Sequence, residues 1–313
     1  MRAFAIDAFG ERVSTHDVAI EEPGPGQVRV KIVAAAINPF DGHVLKGALK
    51  DRLPHEFPLI PCSDLSGTVD AIGEGVDAFK SGDAVFGQKG TMNIGRGTLA
   101  EYSIASTGTI AHRPAFIDND FGAALPLAGI SALQCVESMH LQQGQVVVIL
   151  GAGGGIGGFS VMMAKSAGAT VVGVASSANA DYVQSLGADD VVDYSNTDVV
   201  EAMSRRYPNG INCVLRTAGD PETAMSLAAL VVPGGYVVSM GRGLRVEELE
   251  PRQITGINLN ARPTTEALEK LASMVKAGEL KRPAIKTFRL EDAGAAFDEI
   301  GTGHVRGKLV VQV

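Results

Sequence analysis

Residues 150–158 read LGAGGGIGG, six glycines in nine positions, directly after the apolar run 146–150. Glycine at that density marks either a tight turn or a place where backbone closes on a ligand, and the flanking sequence decides between them. FSVMMAKSAGA follows with helical spacing and a closing Gly168, so the run joins a strand to a helix. Such a turn lets backbone approach a pyrophosphate, whose charge then rests on the unpaired N–H groups of the helix N-terminus. The spacing G-x-G-x-x-G is met in one register by Gly153, Gly155 and Gly158. A second register, Ala152, Gly154 and Gly157, puts alanine in the first slot.

Further strands are expected at 170–175, 190–194, 212–217, 235–240 and 254–259, with helical segments between them. Strands alternating with helices call for right-handed crossovers and a parallel sheet, and six strands complete one doubly wound Rossmann-type α/β sheet. Ahead of it, from Met1 to about Phe121, short apolar runs (VRVKIVAAAI, GTVDAIG, DAVFG, LAEYSIA) alternate with Gly and Pro clusters, the texture of a small β-barrel or sandwich. After it come an amphipathic helix, TTEALEKLASMVKAGEL, then AIKTFRL, a short helix around EDAGAAFDEI and a terminal strand, GKLVVQV.

At 313 residues the chain accommodates two domains. A formal net charge of −8 and the lack of any Lys/Arg block argue against a nucleic-acid partner. No apolar run approaches the roughly 18–20 residues of a bilayer span. Asp7 and Glu11 interrupt the stretch where a signal peptide would be apolar, so a cytoplasmic protein with no membrane contact is expected. Cys62, Cys135 and Cys213 are scattered and odd in number, and read as buried thiols rather than a disulfide framework or zinc ligands.

The end of the second sheet strand separates the nicotinamide cofactors, because an acid there accepts from a ribose 2′-hydroxyl and repels a 2′-phosphate. Here it reads VASSANA, and the first carboxylate is Asp181. Ser176, Ser177 and Asn179 can donate to phosphate oxygens, so NADP(H) is expected over NAD(H), with no Lys or Arg between Lys165 and Arg205 to assist.

In order along the chain, AAINPFDGHVLKG, CSDLSGTVDAIGEGV, GDAVFG, GTLAEYSIA, LPLAGISALQCV, the glycine turn with its helix, LGADDVVDY, GGYVVSMG and GHVRGKLVVQV resemble the medium-chain dehydrogenase/reductase superfamily. Within it they are most similar to the zinc-independent quinone oxidoreductases related to zeta-crystallin. The resemblance implies a GroES-like β-rich catalytic domain built from both chain ends, 1–123 and 262–313, with a Rossmann-type NADP(H)-binding domain, 124–261, inserted between them. It selects the second glycine register, Ala152, Gly154, Gly155 and Gly157, with Ile156 inside the turn. Zinc-dependent alcohol dehydrogenases of the superfamily carry a cysteine at the position of Asn38 and a Gly-His-Glu motif on CSD, so that Ser63 stands for the histidine and Asp64 for the glutamate. Two of the usual ligands are absent and three cysteines cannot build the four-cysteine lobe, so no metal is expected. Without a Lewis acid, the implied reaction is hydride transfer to an already electrophilic acceptor.

The same resemblance implies roles for single residues. Asn38 is expected near the nicotinamide ribose and the acceptor carbonyl, with its amide as donor, and Asp41 is expected to orient its neighbours. His43, where relatives often have a tyrosine facing the substrate cleft, is placed to donate a hydrogen bond or proton to the developing oxyanion. Ser131 matches a threonine near the nicotinamide carboxamide, Tyr194 a residue that reaches the 2′-phosphate, and Gly241 borders the nicotinamide. Read from the residues alone, Asn38 also suits a turn before Pro39, Asp41 a helix cap, and His43 an exposed position without a role. Asn212 and Arg216 stand where the family commonly has aspartates, without a sequence-level account. Phe40, Leu45, Met92 and Ile94 suit either an apolar pocket or buried loop anchors.

The expected function is therefore NADPH-dependent reduction of a small electrophile, a quinone or an α,β-unsaturated carbonyl compound. One alternative is an enoyl-thioester reductase of the same fold, with Arg242, Arg245 and Arg252 serving a carrier phosphate. Another is a crystallin-like or redox-sensing protein that binds cofactor without turnover. The strand ITGINL, left at the sheet edge, is expected to pair with its symmetry mate in a homodimer.

Overall fold

The computed structural model describes residues 1–90 and 93–313. The chain begins with β1 (Arg2–Ala5), β2 (Ser14–Asp17), β3 (Gln27–Ile37), α1 (Pro39–Leu45), β4 (Asp64–Ile72), β5 (Ala84–Gln88), β6 (Tyr102–Ser106), β7 (Ile110–His112), α2 (Asn119–Ala124) and α3 (Pro126–Ser138). It continues with β8 (Val146–Leu150), α4 (Gly155–Ser166), β9 (Thr170–Ala175), α5 (Ala180–Ser185), β10 (Asp190–Asp193), α6 (Val199–Arg206), β11 (Ile211–Arg216), α7 (Pro221–Leu227), β12 (Val231–Met240) and β13 (Thr255–Leu259). It closes with α8 (Thr265–Lys276), β14 (Ile285–Arg289), α9 (Ala293–Gly301) and β15 (Lys308–Gln312).

These elements form two compact units, Met1–Leu127 with Pro263–Ser273 and Ala284–Val313, and Ala128–Arg262 with Met274–Pro283. The sequence boundaries assign everything from 262 onward to the first unit, whereas Met274–Pro283 belongs to the second. There Leu280 is buried and the Lys281 N–H reaches Met162 Sδ at 3.3 Å.

In the first unit a sheet of order β14-β15-β3-β4-β5-β7, with β6 also paired to β3, is antiparallel except for the β14–β15 pair. The long β3 explains much of it. Its first half alternates, with Val28, Val30 and Ile32 buried, as a strand with one wet face should. From Ala34 to Ile37 both faces are buried, because Ala34 and Ala36 meet Ala123 and Ala124 of α2, and residues this small let the helix lie close. Asp118 starts α2 by accepting the Phe121 N–H at 2.8 Å.

The second unit is one parallel sheet of order β10-β9-β8-β11-β12-β13. The chain enters at β8, winds outward through β9 and β10, returns to β11 and winds the other way, so the strand order reverses between β8 and β11. In open sheets of this kind ligands bind outside the carboxyl ends of the strands at that reversal. The six strands fall where the sequence pattern puts them, except that β12 begins at Val231, ahead of an irregular register opposite Ile211 and Cys213. Asn212 has a structural role: its Oδ1 accepts the Val146 N–H at 2.8 Å and ties the start of β11 to the start of β8.

Candidate active site

Four strand ends of the first unit converge. Asn38 follows β3 and caps α1, Asp64 opens β4 opposite Ala36, Gln88 closes β5 opposite Asp64, and Lys308 opens β15, whose next residue Leu309 faces Ile37. Their side chains are buried, at 3, 0, 8 and 4% exposure respectively. Asn38 Nδ2 donates to Asp64 Oδ2 at 2.9 Å, and the other Asp64 oxygen accepts from Gln88 Nε2 at 2.8 Å and from the Leu127 N–H at 3.1 Å. Lys308 Nζ donates to Asn38 Oδ1 and lies 3.7 Å from Asp64 Oδ2.

Asp41, in the first turn of α1, accepts the Asn38 N–H at 2.7 Å, and the Cys62 thiol bonds to its carboxylate. Burial pushes Asp41 up to about 7, with the Asp64 charge adding to the rise and the Asn38 N–H and Lys308 opposing it. Burial also raises Asp64, against the pull of Lys308. Cys62 is pushed well up by burial and by the two carboxylates, so it holds a thiol rather than a nucleophilic thiolate. The donor set does not fit a catalytic zinc. An amide and a serine hold two ligand positions, and a buried ammonium, which has no lone pair to offer, lies beside the remaining carboxylate. Among the described residues no group of three His, Cys, Asp or Glu side chains is arranged to hold a metal.

His43 does not join this cluster. Asp41, Val44 and Leu45 form the buried face of α1, and His43 is exposed on another. There it lines a cavity of about 380 Å³ together with Arg12, Pro39, Leu45, Lys46 and Phe297 of α9. Phe40 is 47% exposed, Ile94 packs against the core of the unit, and Met92 lies outside the described residues.

In the second unit Gly154 caps α4, so Gly155, Ile156 and Gly157 supply the first N–H groups of that helix at the carboxyl end of β8. A Cβ on Gly157 would stand 2.1 Å from the Gly151 carbonyl oxygen, which is why helix and turn can approach only with glycine there. The alanine of the first slot has a matching cause. Ala152 is fully buried, and a Cβ on Gly173 of β9 would stand 2.4 Å from Val183 Cγ1 and 3.1 Å from the Ala152 Cβ, so the neighbouring strand carries glycine where both pack. The turn fits a dinucleotide pyrophosphate: it has unpaired N–H groups, a positive helix end and a cradle that side chains would fill.

Of the other expected cofactor residues, Ser131 is buried on α3, and Gly241 follows β12 with open space where a Cβ would be. Ser176 precedes the short turn Ser177–Asn179, Ser177 is exposed, and Tyr194 is 49% exposed just past β10. Asp193 escapes a count along the chain. It pairs with Ala175 across the β9–β10 ladder and so stands beside these serines. Its carboxylate accepts from the side chain and N–H of Ser195, the latter at 3.0 Å, from Asn196 Nδ2 at 2.7 Å and from Ser177, which hold it below the usual carboxylate range. Its acceptor capacity is thus shared between its own loop and the end of β9. Lys308 is the other residue missed in the sequence, where a single lysine ahead of LVV looks like a solvated strand flank.

Arg216, at the end of β11, donates through Nε to the Gly219 carbonyl at 2.9 Å and through Nη1 to Ser239 Oγ at 2.8 Å, bracing the following loop against β12. Arg245 is committed to Glu222 and Glu248, and Arg252 donates to the Ala229 carbonyl at 3.0 Å.

A family model described as alcohol dehydrogenase GroES-like domain matches residues 24–115, and one described as zinc-binding dehydrogenase matches residues 186–311. Quinone-oxidoreductase QR1, chloroplastic, from Triphysaria versicolor is 30% identical, over 100% of this chain and 98% of that protein. The mitochondrial NAD(P)H oxidoreductase RTN4IP1 of Bos taurus is 28% identical, over 100% of this chain and 89% of its own. The solved structure of the quinone oxidoreductase from Coxiella burnetii aligns with a TM-score of 0.89 at 28% identity, covering 100% of this chain and 99% of that one. Similarity of this extent runs through both units, and the chain belongs to the quinone oxidoreductase-like family of the medium-chain dehydrogenase/reductase superfamily and is an oxidoreductase.

Proposed function

We propose that the protein transfers hydride from NADPH, without zinc, to a quinone or another α,β-unsaturated carbonyl compound. The observation that carries this reading is the buried Asn38–Asp64–Lys308 network, in which an amide and an ammonium stand where a Lewis acid would have to be held. An acceptor in such a site must bring its own electrophilicity. The remaining task is to hold nicotinamide C4 within reach of the acceptor carbon and to stabilise the oxyanion that forms. Asn38 is the donor we assign to that oxyanion and Asp41 keeps the start of α1 in place beneath it, while His43, on a cavity wall apart from the Asn38 network, is given no part in the reaction. Ala152, Gly154, Gly155, Ile156 and Gly157 take the pyrophosphate, and Ser131 and Gly241 take the nicotinamide end. The preference for NADP(H) over NAD(H) rests on Ser176, Ser177 and Tyr194, donors at adjacent strand ends, and is opposed by the charge that Asp193 keeps beside them.

The enoyl-thioester alternative, which called on Arg242, Arg245 and Arg252, loses support at two of the three, because Arg245 is paired to two glutamates and Arg252 to a carbonyl. A redox-sensing role has no exposed thiol to use, since all three cysteines are buried. A cytoplasmic location, with no nucleic-acid or membrane partner, belongs to the same proposal. It is favoured by free cysteines and net negative charge, and no helix among the described residues is long and apolar enough to cross a membrane. NADPH and NADH consumption across 1,4-benzoquinone, simple enones, enoyl thioesters and alcohols tests it. Quinone or enone reduction that survives a zinc chelator is expected; fast alcohol oxidation that a chelator abolishes would overturn the reading.

A further inference from the structure

We propose that Lys308 is a positioning residue for the reaction, holding the Asn38 amide in the single orientation that presents an N–H to the acceptor oxygen. The use made of that N–H rests on the function proposed above, whereas the clamp rests on geometry alone. Lys308 Nζ grips Asn38 Oδ1, and Asn38 Nδ2 donates to Asp64 Oδ2 at 2.9 Å. An amide can be set in two ways. Turned by half a revolution, Asn38 would put donor against donor at Lys308 and acceptor against acceptor at Asp64, with all three groups cut off from water. Neither partner changes role without a further cost. An ammonium only donates, and Asp64 could turn donor only by taking a proton on Oδ2, 3.7 Å from the Lys308 ammonium, while its Oδ1 stays held by the Gln88 and Leu127 N–H groups.

Two further points raise Lys308 above a fold-holding contact. A buried charge pair is weak evidence for stability, since apolar residues of similar size often replace one without loss, so its place at four converging strand ends calls for another reason. A charged donor on the amide oxygen also draws density from the amide nitrogen, and a hydrogen-bond chain of that kind strengthens the remaining N–H as a donor. Asn38 Nδ2 carries two hydrogens, and Asp64 takes one.

With holoenzyme, NADPH and 1,4-benzoquinone, Lys308→Met is expected to lower kcat at least tenfold while the quinone KM and the NADPH Kd stay within about threefold, and Lys308→Arg to restore most of kcat. In an Asn38→Ala background Lys308→Met should cost nothing more. An equal loss in both backgrounds would overturn the proposal, because Lys308 would then act independently of Asn38. If the Met variant fails to fold with Asp64 left unpaired, Asp64→Asn with Lys308→Met, set against Asp64→Asn alone, makes the same comparison. If the wild-type protein reduces none of the acceptors, the functional reading fails while the clamp is still judged. Hydrogen exchange of the Asn38 side-chain amide, assigned by its loss in Asn38→Ala, should speed up at least tenfold in Lys308→Met and not in Lys308→Arg. Unchanged exchange in Lys308→Met would remove the clamp.

Discussion

Asp41 shows how burial changes what a common residue does. As a helix-cap carboxylate it was legible in the sequence; its raised pKa was not, because that depends on Asp64 and on burial supplied by distant segments. The folded chain keeps the Asp41 proton from its ordinary 3.8 to about 7, a range in which the unfolded chain releases it. Stability therefore falls as pH rises through that window and is level above it, by an amount on the order of a few kcal/mol at ~1.4 kcal/mol per unit. Asp41→Asn retains an oxygen for the Asn38 N–H and removes the titration, so its melting temperature should gain on wild type between pH 5 and pH 7.5. Parallel melting profiles for the two proteins would mean that Asp41 titrates as it does in water. Asn38 and His43 were also visible as candidates, but only the fold separates them onto different surroundings, one within a buried polar network and the other on a cavity wall.

At the level of elements, the strand, turn and helix around 146–166 act as one device. Gly157→Ala places a methyl against the Gly151 carbonyl and pushes α4 off the turn. We expect NADPH affinity to fall at least tenfold, with a melting temperature lower by several degrees, as read by fluorescence titration and thermal unfolding. An unchanged affinity would disconnect the turn from the cofactor. The β9 and β10 ends set the second choice. Ser177→Ala with Tyr194→Phe removes donors from the proposed 2′-phosphate site, so the Kd for NADPH should rise about tenfold while that for NADH stays level, and an equal change in both would refute that placement. The glycine spacing was readable because strand and helix flank it in sequence. Asp193 was not, because it lies beside Ser177 only once β10 has paired with β9.

For the whole molecule, β13 is a sheet edge, with Ile257 at the centre of its five residues. An edge strand of this kind is a ready template for a second copy. In a dimer we propose to pair through β13, with the two-fold axis at the middle of the strand, Ile257 faces its own mate, so Ile257→Lys opposes two like charges and should convert the dimer to monomer in light scattering after size exclusion. A wild-type monomer, or a dimer unmoved by the substitution, would place any assembly elsewhere. The second unit was almost wholly legible because its signals are local: apolar runs, glycine turns and helical periods repeat within about 30 residues. The first unit was less so, because its sheet takes β15 from the far end of the chain to pair with β3.

By itself, then, the sequence determined the six strands of the second unit and the glycine turn that follows β8, while the absence of two zinc ligands was legible only through the family resemblance. The strands and the turn follow from residue type and spacing along the chain. Only the tertiary structure decided that Lys308 reaches Asn38, that Asp41 and Asp64 share a buried site, and that Asp193 stands beside Ser177. Charge, burial and hydrogen-bond partnership belong to distance in space, and strand pairing brings together residues that their spacing along the chain does not connect.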